Sequence, residues 1–543
     1  MRIPFLNTSN TQSSQAQTPK TPPTQVSAAP TNPGPRHVAR EFDIADLYRG
    51  PVDAADPGAE TAPPLDEKLR QAYFWIVNHA IISPHYDIEY SEGPASVYTF
   101  GDPTNRITLP SGQCYSSFVL LPLLNFAVRR RCLLVGGPGR GKTASAILMG
   151  LLAGYTLREV RRGIQHGQPQ MTIADLLGNP LPADLVGAKD MDSITIAWRK
   201  WLEMRVKIID EYNRIPTRTQ SALLTIMGDN YAEILDHVYE CPEAAWYLTA
   251  NDDGGGGTYQ VIEALRDRID VVVKALPFNT RFLGELLARI EDGVVPEEIV
   301  PRQVIFSEVE CDRMHHEVLA VAFPAPLRRR LEFFASQFEF CEQGGEQLEY
   351  KTKDTVKLSG ADFAQLSAQD SGRDRVKDLG SQTQNGLSVR ALLTSLAFVK
   401  AMAYFRGDRE VSLEDIRQVL PFVLHDKLVP NIESPFFEAA GNDVYRRDKV
   451  SWLRKLFDLS CGEYERLDLD RDDPVAALGT QFERGLEGLD EKEVRVRLVR
   501  IERLVAEWSG GRKLYGHVYD DLLKLKYLHQ RYTNYLRWLQ WKA

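Results

Sequence analysis

The sequence predicts an α/β fold built on a largely parallel sheet, followed by a mostly helical remainder. Three observations predict it. Between about residues 130 and 285, short apolar runs alternate with helix-period stretches: CLLV at 132–135, VKII at 206–209, WYLTA at 246–250 and VVVKAL at 271–276. Residues 300–430 then hold long helix-period stretches, FPAPLRRRLEFFASQF and SVRALLTSLAFVKAMAYF. Finally, the first of the apolar strands runs straight into a glycine-rich turn, GGPGRGKT, and from there into the helical stretch ASAILMGLLA.

The elements follow in order. Residues 1–40 hold seven prolines and no Asp or Glu, so they cannot bury enough apolar surface to offset ordering entropy, and 1–64 reads as a disordered tail and linker. Within it, FDIADLYRGP at 42–51 reads either as a docking segment or as plain linker. From Leu65, LDEKLRQAYFWIVNHAII spaces its apolar residues as a helix does, and SSFVLLPLLNFAV is a second helix before the first strand. These helices lead into an α/β core that spans 65–290. A helical lid is expected over 291–430 and a charged helical C-terminal domain over 431–543. The last helix places Leu525, Leu528, Tyr532, Tyr535 and Leu539 at 3-4-3-4 spacing, a face that either packs within its own domain or binds a partner.

Composition excludes several classes. The chain has 543 residues, too many for one compact domain, with 43 % apolar and 26 % charged residues and a net charge of −9. That charge offers no bulk attraction to nucleic acid or an anionic membrane, and no apolar run is long enough to span a bilayer. Six scattered cysteines form no CxxC pair, which fits reduced thiols in a cytoplasmic protein. The arginine runs at 129–131 and 328–330 read as charged helix edges, and His166 and His237 as solvated side chains.

Gly136, Gly137, Pro138, Gly139, Arg140, Gly141, Lys142 and Thr143 satisfy G-x-x-x-x-G-K-[ST] between a strand and a helix. Glycines let backbone N–H groups curl around phosphates, and the helix N-terminus adds its positive dipole end. Lys142 is expected at the β- and γ-phosphates and the Thr143 hydroxyl on Mg²⁺. A second apolar strand ends in two adjacent acids, IIDEYNRIP. Asp210 suits the metal and Glu211 the orienting of a water for hydrolysis. No N-K-x-D tetrapeptide for guanine appears, so the nucleotide is expected to be ATP.

DEYNRIPTRTQSALLTIM at 210–227 resembles the DE-x-N-R-x-P-x-x-x-Q-x-A-L-L signature of MoxR-type AAA+ ATPases, of the helix-2-insert clade. The resemblance implies an AAA+ core with a helical lid, covering about 125–430. It makes WYLTAND the sensor 1 strand, with Asn251 at the γ-phosphate and Thr249 as the fallback. IEALRDRID is similar to the family's LPEAxLDRF, which implies that Arg268, or alternatively Arg266, reaches into a neighbouring subunit. NGLSVRALLTSLAFVKAMAYFRG is similar to the lid helix that carries sensor 2, at Arg390. Two segments depart from the family: NDDGGGGTY after sensor 1, and TIADLLGNPLPADLVG, both longer than usual. NYAEILDHVYECPEAAW has the alternation of the hairpin that precedes sensor 1 in that clade.

The resemblance implies a ring, hexameric, that hydrolyses ATP to remodel or assemble a partner protein carrying a von Willebrand factor A domain. A nucleic-acid motor is the alternative from another class, weakened by the acidic charge and the lack of a recognisable nucleic-acid module. A slowly hydrolysing, ATP-bound scaffold is a third reading.

Overall fold

Strands β1 (Arg131–Val135), β2 (Gln165–His166), β3 (Val206–Asp210), β4 (Ala245–Ala250) and β5 (Val271–Lys274) form one sheet, in the order β5-β1-β4-β3-β2. Every neighbouring pair is parallel. The computed structural model describes residues 63–101, 105–182, 194–251, 261–293, 295–338, 379–466, 468–470, 473–509 and 517–542. The expected tail with its docking segment, and the glycine-rich stretch after Asn251, lie outside them. The two-residue β2 was not legible as a strand.

The strands are apolar throughout because both faces are covered, as parallel sheets require. Alternation sends Cys132, Leu134, Ile208, Tyr247, Val271 and Val273 to one core, and Leu133, Ile209, Trp246, Leu248 and Val272 to another. On the first face lie α1 (Leu65–Trp75), α2 (Ser117–Val128) and α3 (Lys142–Leu152), with every residue of α2 buried. Asn125 Nδ2 of α2 donates to Trp246 O (3.1 Å), and the Tyr247 hydroxyl donates to Pro122 O (2.8 Å), so both of these buried donors are paired. The second face carries α4 (Thr217–Asp229) and α5 (Glu263–Arg268). The expected hairpin before β4 is present: Tyr231–Ile234 pairs with His237–Glu240 around Leu235 and Asp236, both at positive φ. Two left-handed residues are what a two-residue turn needs to match strand twist.

Helices α6 (Glu308–Ala320), α7 (Ala325–Ser336), α8 (Val389–Arg406), α9 (Leu413–Val423) and α10 (Lys449–Arg466) continue the first core without a break. Trp452, Leu453, Leu456 and Phe457 of α10 are buried in it. The boundary expected at residue 430 therefore falls inside a continuous core. The separate core begins at α11 (Pro474–Glu483), packed with α12 (Glu491–Ser509) and α13 (His517–Lys542).

The regular face of α13 is internal. Leu525, Leu528 and Tyr532 are fully buried against α11 and α12, with Tyr535 and Leu539 packed beside them. That settles the alternative left by the spacing in favour of packing within its own domain. The arginine runs are ion-paired rather than free edges. Arg329 binds Asp473 and Asp521, Arg330 binds Glu465 and Asp470, Arg129 binds Asp312, and Arg131 binds Asp270.

Candidate functional site

The residues expected to do chemistry divide between the two edges of the sheet. At the carboxyl edge β1 passes into Gly136–Gly141, and α3 begins at Lys142. Gly136 has φ 155°, and a Cβ there would lie 2.8 Å from Ala275 O, so only glycine lets the loop turn this close to the exit of β5. Arg140 donates from Nη1 to the same carbonyl (2.9 Å) and so closes the loop against β5.

Lys142 is buried, and its Nζ donates to Gly136 O (2.7 Å), Gly137 O (2.8 Å) and Asn251 Oδ1 (3.0 Å). The ammonium is thus held at the centre of the loop, where a phosphate would meet it. Thr143 donates its hydroxyl to Asp210 Oδ1 (2.8 Å). These two expected metal ligands, 67 residues apart, are in direct contact. A hydroxyl beside a carboxylate is a hard-oxygen pair, the donor chemistry that Mg²⁺ prefers.

Glu211 is left-handed, with φ 54° and ψ 47°, an uncommon conformation for this residue type. The turn points its carboxylate toward the end of β4, where Asn251 Nδ2 donates to Oε1 (2.9 Å). Arg214 pairs with Oε2 through Nε (3.2 Å). Lys142, Asn251, Glu211 and Arg214 thus form one polar chain across the mouth of the loop. Arg214 was within the quoted motif but unassigned; its three-residue spacing from Glu211 was the available signal. His166 is exposed, as its reading as a solvated side chain expects. It ends β2 with its Nδ1 3.5 Å from Asp210 Oδ2.

The arginines lie elsewhere. Asp270 precedes β5 and sits beside Arg131, the first residue of β1; its carboxylate accepts from Arg131 N (3.0 Å) and from the Thr394 hydroxyl of α8 (2.5 Å). This is the amino edge, about 16 Å along β1 from the phosphate loop at 3.3 Å per residue. Arg390, one turn before Thr394, pairs here with Asp267, as does Lys427 (3.7 Å to Oδ1). Arg268 lies across Gly228 and donates weakly from Nη1 to Ala264 O (3.4 Å), whereas Arg266 is exposed. Arg390 therefore stands with the arginines of α5 and away from its own chain's loop.

A strand–loop–helix phosphate cradle with a carboxylate pair at the end of β3, one strand over across β4, defines an ATP hydrolase. Family models agree on the class: "ATPase family associated with various cellular activities (AAA)" matches residues 131–271, and "AAA lid domain" matches 379–446. Among curated proteins, the chain is 25 % identical over 324 residues to "Chaperone MoxR1" of Mycobacterium tuberculosis, covering 57 % of this chain and 77 % of that one. A solved structure from Cytophaga hutchinsonii is similar at 18 % identity and a TM-score of 0.41, covering 62 % of this chain and 88 % of that one. An MCM homologue from Methanopyrus kandleri is similar at 13 % identity and a TM-score of 0.33, covering 57 % and 55 %. These matches place an AAA ATPase domain at 131–271 and an AAA lid at 379–446, and support a likeness to the AAA+ ATPases of the MoxR type.

Proposed function

We propose that this ATPase works as a ring, hexameric as the family resemblance implies, which couples ATP hydrolysis to the remodelling or assembly of a partner protein. The observation behind this reading is the separation of the two edges. Glu211, Asn251 and the phosphate loop share the carboxyl edge, whereas Arg268, beside Gly228, and Arg390 share the amino edge about 16 Å away. In this arrangement one chain does not bring both to one nucleotide. Two copies, packed edge against edge, can.

In such an interface Lys142 and the loop N–H groups would hold the phosphates, and Thr143 and Asp210 would hold Mg²⁺, whose charge would offset that developing on the phosphate. Glu211 accepts the proton of the attacking water, and Asn251 orients it against the γ-phosphate. Arg268 or Arg266 of the neighbouring copy stabilises charge in the transition state, and Arg390, tied through Asp267 to the same segment, travels with it.

The chaperone name of the Mycobacterium tuberculosis relative supports a protein client, and the family resemblance points to a von Willebrand factor A domain partner in the cytoplasm. In the two arginine runs, Arg129, Arg131, Arg329 and Arg330 are paired with acids, which reduces the free positive charge that a nucleic-acid motor needs. Among the described residues no helix is long and apolar enough to cross a membrane. The test is assembly. With ATP, Glu211→Gln protein should sediment as a closed oligomer that stimulates or captures a von Willebrand factor A protein; a strictly monomeric, ATP-bound chain would overturn the ring.

A further inference from the structure

Thr249 occupies the fifth of six positions on β4 and is fully buried, with 0 % of its surface exposed. A side chain so enclosed cannot touch the γ-phosphate, so the sensor role held open for it does not fit its location. Its hydroxyl is nonetheless fully employed. Thr249 Oγ1 donates to Asp210 Oδ1 (2.7 Å) and accepts from the backbone N–H of Glu211 (2.9 Å).

These two bonds fall on the two acids that matter. Asp210 Oδ1 accepts from both Thr249 and Thr143 (2.8 Å), so one carboxylate oxygen is saturated by hydroxyls and the plane of the group is fixed. Among the described residues, the carboxylate's other oxygen, Oδ2, has only the distant His166 contact at 3.5 Å. At Glu211 the bond anchors the amide of a residue in the left-handed region, where a non-glycine residue is strained. The strain persists because the neighbouring strand holds the amide.

We propose that Thr249 is a positioning residue for the hydrolytic centre: its hydroxyl sets the orientation of the Asp210 carboxylate toward the metal and locks the turn that aims Glu211 at Asn251. The inference rests on the reading of Asp210 as the metal carboxylate and Glu211 as the base. Valine is the isosteric replacement that deletes both bonds, while serine keeps them. Outer partners of metal ligands are typically worth 10- to 100-fold in metal affinity or activity.

The experiment measures binding as well as turnover, using fluorescent ADP with Mg²⁺ titrated from zero. Thr249→Val should leave metal-free ADP affinity within about two-fold, and raise the Mg²⁺ needed for half-maximal tightening by roughly 10-fold. It should lower kcat by roughly 10- to 100-fold, and Thr249→Ser should recover most of both losses. A valine variant with wild-type Mg²⁺ dependence and turnover overturns the proposal. So does a serine variant as impaired as valine, which would mean that the methyl packing and not the hydroxyl matters. Should the valine variant not fold, Thr249→Ala is read by the same titration against Thr249→Ser. The underlying reading fails differently: wild-type protein would then show no Mg²⁺ effect on ADP binding at all.

Discussion

The two edges of the central sheet are chemically unlike. The carboxyl edge presents a buried ammonium among backbone carbonyls, hydroxyls against Asp210, and Glu211 held by an amide and a guanidinium. The amino edge presents paired guanidinium and carboxylate groups, Arg131 with Asp270 and Arg390 with Asp267. The first is arranged to receive phosphate and metal. The second is tied together by ion pairs that keep Arg390 beside the α5 segment. The difference carries the proposal that a complete hydrolytic site forms where the edge of one copy meets the edge of another.

The largest expected effect comes from breaking the carboxyl edge. Lys142→Ala should abolish measurable nucleotide binding, because the loop loses the ammonium that meets the phosphates. Glu211→Gln should bind ATP as well as wild type yet lose roughly 1000-fold in turnover, since the amide fits but accepts no proton. Equilibrium binding and phosphate release separate the two. Retained turnover in Glu211→Gln would move the base elsewhere.

A smaller effect sharpens the contrast between two buried lysines. Lys142 is held by three oxygen acceptors in the loop, whereas Lys207 lies under 2 % exposed within β3, donating to Met204 O (2.5 Å) near Trp246. Burial pulls the Lys207 ammonium down to about 8 from an ordinary 10.5. Between those values the unfolded chain binds more protons than the folded one, so this group makes stability rise with pH across that window. Below pH 8 the charged form is buried at a cost. Lys207→Met should therefore raise the thermal midpoint at pH 7 by a few degrees at most and flatten the rise between pH 8 and 10.5. An unchanged slope would show that Lys207 is not its source.

Much of this was legible in the sequence. The strand–loop–helix cradle, the paired acids and the hairpin before β4 follow from local rules of spacing and turn chemistry, and each appears where its residues stand. Other features depend on residues far apart in the chain. Arg390 meets Asp267 across 123 residues, and nothing in either local pattern says which edge of the sheet they share. Thr249 is one residue in an apolar run; only the register of β4 against β3 puts its hydroxyl on Asp210. The domain boundary moved for a similar reason, because helix periodicity reveals that α10 is amphipathic but not which core receives its apolar face.

The division of the site between copies is tested most directly by mixing two inactive proteins. Glu211→Gln chains lack the base but keep the arginines of α5; a chain carrying Arg266→Ala and Arg268→Ala keeps the base but lacks those arginines. Each alone should hydrolyse ATP at least roughly 100-fold more slowly than wild type while still binding it. Combined in equal amounts and allowed to exchange, they should regain a substantial part of wild-type turnover, because some mixed interfaces pair an intact carboxyl edge with an intact amino edge. Turnover that stays at the level of the separate variants, in mixtures shown to contain both chains in one assembly, would contradict the account.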